Sequence, residues 1–193
     1  MQLLGKKSLA SKLLTLVNLA LILVFIGLIG MVIFVSYFLL AEELPAVASS
    51  GISLQGPGLI VHLESEGALE IGYSFFTTQL LLAIPLILMV LFILYKLRFI
   101  LSSLKNENPF SPDNPVHIRH IGYGIIATVV VSSIAEGIAG YHLSPIISEK
   151  FPQLSWQAFS PDLTGIFFGL LILILSEVFR QGTELKKDQE FTV

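Results

Sequence analysis

The chain has 193 residues, of which 54% are hydrophobic and 13% charged, and its mean hydropathy is +0.82. Soluble domains carry about 25% charged residues, so this composition excludes an ordinary water-soluble domain. The net charge of −3 is too small to indicate a partner. The absence of a large Lys/Arg patch argues against direct nucleic-acid binding, and the absence of Cys excludes disulfides and Cys nucleophiles.

Four long apolar stretches predict four membrane-spanning helices within a single membrane domain over residues 1–193, at about 13–40, 75–98, 116–141 and 163–180. With both termini on one side of the bilayer, all of the 11 Lys and Arg residues except Lys150 fall on that side. Loops rich in Lys/Arg stay in the cytoplasm, which orients the chain in the bacterial inner membrane. The resulting segments are cytoplasmic 1–12, 99–115 and 181–193 and extracytoplasmic 41–74 and 142–162.

The first span has the basic leader of a secretory signal peptide, and Ala46-Val47-Ala48 is similar to a cleavage site. Its uncharged run, however, extends from Leu13 to Ala41 and is much longer than the apolar core of about 7–15 residues in a signal peptide. The sequence therefore predicts an uncleaved membrane anchor.

The segment after the first span has the pattern of β-structure. Apolar and polar residues alternate over 59–64 and again over 69–75, on either side of Ser65-Glu66-Gly67. This pattern predicts a β-hairpin, with 52–55 as a candidate third strand. A lone hairpin is marginal in water, so we expect it to pack on the second outer segment or on another subunit.

The next part of the chain contains several prolines. Pro85 inside the second span predicts a kink. The elbow between the second and third spans, residues 106–115, contains three further prolines. Within it, Ser111 before Pro112 predicts a helix N-cap followed by proline at the first helical position.

The third span is rich in small residues, which let helix backbones approach closely in lipid, so we expect it to be the helix most buried by protein. These residues are Gly122, Gly124, Ser132, Ser133, Gly137 and Gly140. The second outer segment is a candidate for a short helix lying flat at the membrane interface, because it carries aromatic residues suited to that position: Phe151, Trp156 and Phe159.

Ionisable residues within or beside the spans are candidate functional groups. They are Glu136, Glu177, Arg119, His120 and His142. The helical rise places Glu136 near the outer face, where only His142 and Lys150 are close in sequence. It places Glu177 near the inner face, where the candidate partners are Arg119, His120 and Arg180. A structural ion pair is the favoured interpretation of each carboxylate, and a proton or ligand site is the alternative.

Catalytic and metal chemistry find little support in the sequence. His117 and His120 share a helix face, but a metal site needs a third ligand that nothing nearby supplies. The chain lacks the G-x-S-x-G, H-E-x-x-H and P-loop motifs. We therefore expect a protein that is not an enzyme and needs no cofactor.

Two segments on the inner side carry a family resemblance. They are Asn108-Pro109-Phe110-Ser111-Pro112-Asp113-Asn114 in the elbow, and the end of the fourth span from Glu177 to Leu185 with the terminal Gln189-Glu190-Phe191-Thr192-Val193. With the four-span layout, they resemble the bacterial membrane-protein family named domain of unknown function 2975. That family has no established activity. Its members are often encoded beside a small helix-turn-helix regulator, which the resemblance implies as a candidate cytoplasmic partner.

The same two segments supply a candidate partner surface on the cytoplasmic side. Its residues are Asn108, Pro109, Phe110, Arg180, Glu184 and Phe191. The alternative is a solvated helix end whose lysines face lipid phosphates.

The fold class predicted is an all-α membrane protein, a four-transmembrane-helix bundle with a small extracytoplasmic β element. The function predicted is a non-enzymatic sensor, regulator or partner anchor. One alternative is a small transporter or channel subunit or a bacteriocin-immunity protein, with a polar path along Glu136, Gln79 and Asn18. Another is a structural protein that assembles as a homo-oligomer in the lipid bilayer.

Overall fold

A computed structural model describes residues 9–41, 52–56, 59–63, 67–150 and 162–190. Four long helices make up almost all of this part of the chain: α1 Leu9–Ala41, α2 Gly67–Lys105, α3 Asn114–Lys150 and α4 Leu163–Glu190. Each contains a stretch that is long and apolar enough to cross a membrane: Leu9–Tyr37, Leu80–Lys105, Asn114–Ile138 and Leu163–Gln189. The predicted helical class with four potential membrane spans is therefore confirmed.

The predicted outer hairpin is not supported. Its second strand, 69–75, is helical, because α2 already begins at Gly67. Extending a formed helix by two turns costs little, whereas a strand there would need a partner. The backbone pairs two short strands instead, β1 Ile52–Gly56 and β2 Leu59–Leu63, which run antiparallel with Ile52 opposite Leu63.

Helix α2 ends in a Schellman motif at the start of the elbow. The Asn108 amide donates to the Ser103 carbonyl at 3.0 Å, and the Glu107 amide donates to the Leu104 carbonyl at 3.2 Å. Glu107 takes a left-handed conformation, with φ of 59°, at the position where glycine is preferred. The chain direction is thus reversed without a glycine.

Helix α3 begins two residues later than predicted. The His117 amide donates to the Asp113 carbonyl at 3.0 Å, so Asp113 is the N-cap rather than Ser111. The side-chain amide of Asn114, with only 1% of the residue exposed, donates to the Pro109 carbonyl at 2.8 Å. This bond holds Pro109 beside the first helical residue, which keeps Ser111 and Pro112 in the turn.

Helix α3 also continues further than expected. The third span was predicted to end near 141, but the helical backbone reaches Lys150. The predicted interfacial aromatics Phe151, Trp156 and Phe159 lie outside the described residues.

Pro85 lies inside the continuous helix α2, and the kink expected there stays a prediction.

The chain divides into two compact units, the first formed by Met1–Gly27, Leu86–Ser133 and Pro161–Val193 and the second by Leu28–Pro85 and Ile134–Ser160. In the first unit, α3 and α4 approach closely at glycines. A Cβ atom on Gly169 would lie 2.5 Å from the Ile126 side chain, and one on Gly122 would lie 2.8 Å from the Leu173 side chain. In the second unit, Val35 and Ala135 are buried apolar residues.

Candidate functional site

The ion cluster at the end of the first unit is built on α3 and α4. Glu177 and Arg180 are three residues apart on α4 and therefore share a face. The Arg180 guanidinium donates to the Glu177 carboxylate from Nε at 2.9 and 3.1 Å and from Nη2 at 2.6 Å. Arg119 reaches the same carboxylate from α3, at the outer limit of an ion pair, with Nη2 4.0 Å from Oε2.

The cluster continues along α4. Arg180 also donates to Glu184, one turn further on, and the Gln181 amide donates to Glu177 at 3.3 Å. The side chains of Arg119, Arg180 and Glu177 are 45%, 43% and 44% exposed. Half-exposed pairs of this kind contribute little to stability, so the cluster orients side chains more than it stabilises the fold.

The elbow packs on the same end of α4. The Phe110 ring lies 6.0 Å from the Phe179 ring, and its Cε1 atom would be 3.0 Å from a Cβ atom on Gly182. The Lys186 ammonium lies 3.4 Å from the Asn108 side-chain oxygen. Two segments that are distant in sequence therefore form one continuous surface, which we call the elbow–α4 surface.

The elbow–α4 surface contains most of the residues predicted for partner binding. Asn108, Phe110, Arg180 and Glu184 all take part in the contacts just described. Pro109 contributes through its carbonyl, which accepts the Asn114 bond. Phe191 lies outside the described residues.

Between α3 and α4 the surface contains an open cleft of ≈ 290 Å³. Its lining combines apolar side chains from the start of α3 with charged ones: Pro112, Pro115, Val116, Arg119, Arg180, Thr183, Glu184 and Lys187. Three of these residues are cationic and one is a carboxylate, so the cleft has a surplus of positive charge.

A hydrogen bond between α3 and α4 fixes the base of the cleft. The Ser176 hydroxyl donates to the Pro115 carbonyl at 2.9 Å, and Ser176 is 0% exposed. Ser176 was not predicted to be a functional residue, because one serine in an apolar run is common. One feature of the sequence could have indicated it: the Ser176 hydroxyl directly precedes the ionisable Glu177. In the structure both residues face the start of α3.

The histidines face away from this cluster. His117 stacks on Phe99, with ring centroids 5.0 Å apart, and His120 meets the edge of Phe92 at 6.3 Å. His120 is thus placed against α2, and no contact joins it to Glu177 in the described part of the chain. The Nδ1 atoms of both histidines are buried without a hydrogen-bond partner there. No group of three His, Asp or Glu residues that could hold a metal occurs among the described residues.

The remaining candidates lie elsewhere. Glu136 is in the second unit, is exposed, and forms no ion pair with any residue that the structure describes. The side chains of His142 and Gln79 are outside the described set. Asn18 on α1 has a buried side-chain oxygen without a partner in the described residues. The structure therefore brings Arg119 and Glu177 together and leaves the other candidates separate from them.

Comparison with known proteins identifies the family. Residues 40–193 match the family model described as "Protein of unknown function (DUF2975)". This match covers most of the chain, so the protein belongs to that family, as its elbow and α4 residues predicted. No curated protein and no solved structure matches. The match begins at residue 40 and so leaves out nearly all of α1.

Proposed function

We propose that this DUF2975 protein is a non-enzymatic anchor of the bacterial inner membrane that holds a soluble cytoplasmic protein on its elbow–α4 surface. The supporting observation is the packing of Phe110 on Phe179 and Gly182. It joins the elbow to the end of α4, so that Asn108 and Phe110 are held against α4 at Lys186, Phe179 and Gly182. Binding residues presented by a fixed scaffold lose less conformational entropy on association.

The chemistry of the surface suits a protein partner. Phe110 is 42% exposed even though one part of its ring packs on α4. The same end of α4 carries charged side chains of both signs, including Glu184, Lys186 and Lys187. An accessible aromatic ring with a polar rim is the usual composition of a protein–protein hot spot. The family resemblance suggests a small helix-turn-helix regulator as the first candidate.

Photocrosslinking in native membranes tests this proposal. A photoreactive amino acid replaces Glu184 in the full-length chain, and the matched control replaces Tyr123, a similarly exposed residue on α3. We expect one soluble protein to crosslink from position 184 and not from position 123. Mass spectrometry then identifies it.

Aromatic substitutions supply the second arm of the experiment. Phe110→Ala removes the ring that joins the elbow to α4, so the crosslink from position 184 should fall at least tenfold. Phe167→Ala, which removes an exposed ring elsewhere on α4, should leave it unchanged. Crosslinks to lipid alone, or equal products from positions 184 and 123, would contradict the proposal.

The orientation of the chain is open to a direct test because the protein contains no Cys. Single cysteines at Lys12 and Lys187 should both react with an impermeant maleimide only from the cytoplasmic side. A cysteine at Glu136 should react, if at all, only from the opposite side. Labelling of positions 12 and 187 from different sides would overturn the proposed topology. The transporter, immunity-protein and homo-oligomer alternatives stay predictions.

A further inference from the structure

We propose that the cleft between α3 and α4 is a binding site for an anionic phosphate group. The cleft measures ≈ 290 Å³, which leaves room for a phosphate with several attached carbon atoms. This inference goes beyond the protein anchor proposed above, because it requires only the folded chain and no protein partner.

Two cations in the cleft have incomplete pairing. Arg119 has one ion-pair partner among the described residues, Glu177, at 4.0 Å, and that carboxylate already accepts three bonds from Arg180. Lys187 forms no hydrogen bond or ion pair with any residue the structure describes. A guanidinium and an ammonium that line one cleft match the oxygens of a phosphate, which accepts forked bonds from Arg and a point charge from Lys.

The backbone adds to this positive potential. Pro115 and Val116, in the first turn of α3, line the cleft. The N-terminal end of a long helix carries a partial positive charge, which favours a bound anion. The helix end adds to the side chains and does not define the site alone.

The nearby carboxylates do not cancel the positive charge of the cleft. Glu177 and Glu184 both bind Arg180, whose single positive charge offsets one of their two negative charges. With Arg119 and Lys187 included, these five side chains carry a net charge of +1. Arg119 and Lys187 remain as the groups available to an incoming anion. The apolar side chains of Pro112, Pro115 and Val116 complete the wall and suit the carbon atoms of a phosphate ester.

The position of the cleft suits two sources of such a group. Lys187 lies at the end of the potential span Leu163–Gln189, and α3 begins at Asn114. The cleft therefore lies where a membrane span meets water, the level of phospholipid headgroups. A soluble phosphate compound could reach the same site from the aqueous side, because the cleft is open.

Native mass spectrometry of the full chain in detergent micelles tests this inference. Phosphatidylglycerol is the anionic probe, and phosphatidylcholine is the comparison lipid without net charge. We expect retention of phosphatidylglycerol. Lys187→Gln and Arg119→Gln should each weaken it about fivefold, and the double variant about twenty-fivefold. Lys186→Gln, with the same charge change one residue away and outside the cleft lining, is the matched control and should leave retention unchanged.

Inorganic phosphate separates the two sources. If millimolar phosphate displaces phosphatidylglycerol from the parent protein, the site accepts soluble phosphates. If it does not, and Lys187→Gln still weakens retention, the site is specific for the lipid headgroup. Equal loss in Lys187→Gln and Lys186→Gln, no loss in either, or equal retention of both lipids would overturn the inference. Because no partner protein is present, this result is independent of the crosslinking experiment.

Discussion

Helices α1 and α3 can both cross a membrane, but they differ in what surrounds them. In the most apolar stretch of α1, 6% of the residues are buried inside the protein, compared with 33% in α3. Glycines show the same contrast. Nothing lies within 4 Å of a Cβ atom built on Gly27 or Gly30 of α1, whereas Gly122 of α3 is in contact with Leu173. A glycine in an apolar helix is therefore not by itself a sign of helix packing.

The contrast extends to sequence similarity. The family match begins at residue 40 and includes α3 but almost none of α1. The helix that packs against the rest of the first unit is thus inside the region that defines the family. A helix whose side chains face mostly outward has fewer packing constraints on its sequence, because many apolar side chains satisfy the same lipid environment.

The largest expected difference between the two helices' environments is at the glycines. Gly122→Leu on α3 would place a Cβ atom 2.8 Å from the Leu173 side chain on α4, so we expect a loss of about 2–3 kcal/mol in the free energy of unfolding. Gly27→Leu on α1 should cause no loss, because the space is open. Unfolding in a graded detergent mixture measures both. Equal tolerance of the two substitutions would contradict the comparison.

A smaller difference is expected for the hydroxyls. Ser176→Ala removes the buried bond to the Pro115 carbonyl and should cost about 1 kcal/mol in unfolding free energy. Ser36→Ala is the matched control, because among the described residues the Ser36 hydroxyl bonds only to the Val32 carbonyl of its own helix. The same unfolding assay applies. A cost for Ser36→Ala as large as that for Ser176→Ala would show that the bond between helices has no special role.

The elbow before α3 contains a position where a glycine substitution should stabilise the protein rather than destabilise it. Glu107 has a φ of 59°, which glycine adopts without strain, so Glu107→Gly should stabilise the protein by about 1 kcal/mol. Ser102→Gly, inside α2, should destabilise it by roughly 0.5 kcal/mol, since glycine weakens a helix interior. A thermal-shift assay on purified protein distinguishes the two directions. Destabilisation by Glu107→Gly would show that the Glu107 side chain outweighs the backbone strain.

The smallest effect is expected for the exposed ion cluster. Arg180→Lys keeps the charge but loses the forked bonds to Glu177, and we expect only a small loss of stability, which disappears at high salt. Thermal unfolding at low and high ionic strength measures it. A large effect that persists in salt would show that the cluster is a main source of stability.

Much of the fold follows from sequence pattern alone. Four apolar stretches with basic flanks predict four potential spans, and the small residues of α3 predict that it is the most buried of them. The strand prediction at 69–75 was wrong because alternation over seven residues also fits the first turns of a long helix. The α3 start was misplaced because the Asn114 side-chain bond to Pro109 depends on the three-dimensional turn.

The candidate site could be predicted only in part. The pairing of Glu177 with Arg180 follows from helical spacing, and Arg119 was a reasonable partner. The contacts of Phe110 with α4 and of Ser176 with Pro115 depend on the relative position of two helices. Local sequence does not encode that position, because several side-chain arrangements satisfy two apolar faces equally well. The cleft could be found only once both helices were placed.

The bond from Ser176 to Pro115 limits how α4 can slide along α3. A piston-like shift of α4 by one helical turn, about 5.4 Å, would take the hydroxyl out of reach of its carbonyl. The same shift would carry Glu177 away from Arg119 and change the depth at which Lys187 lies. A displacement of α4 along its axis would therefore break the buried Ser176 hydrogen bond and separate Glu177 from Arg119 in the same movement.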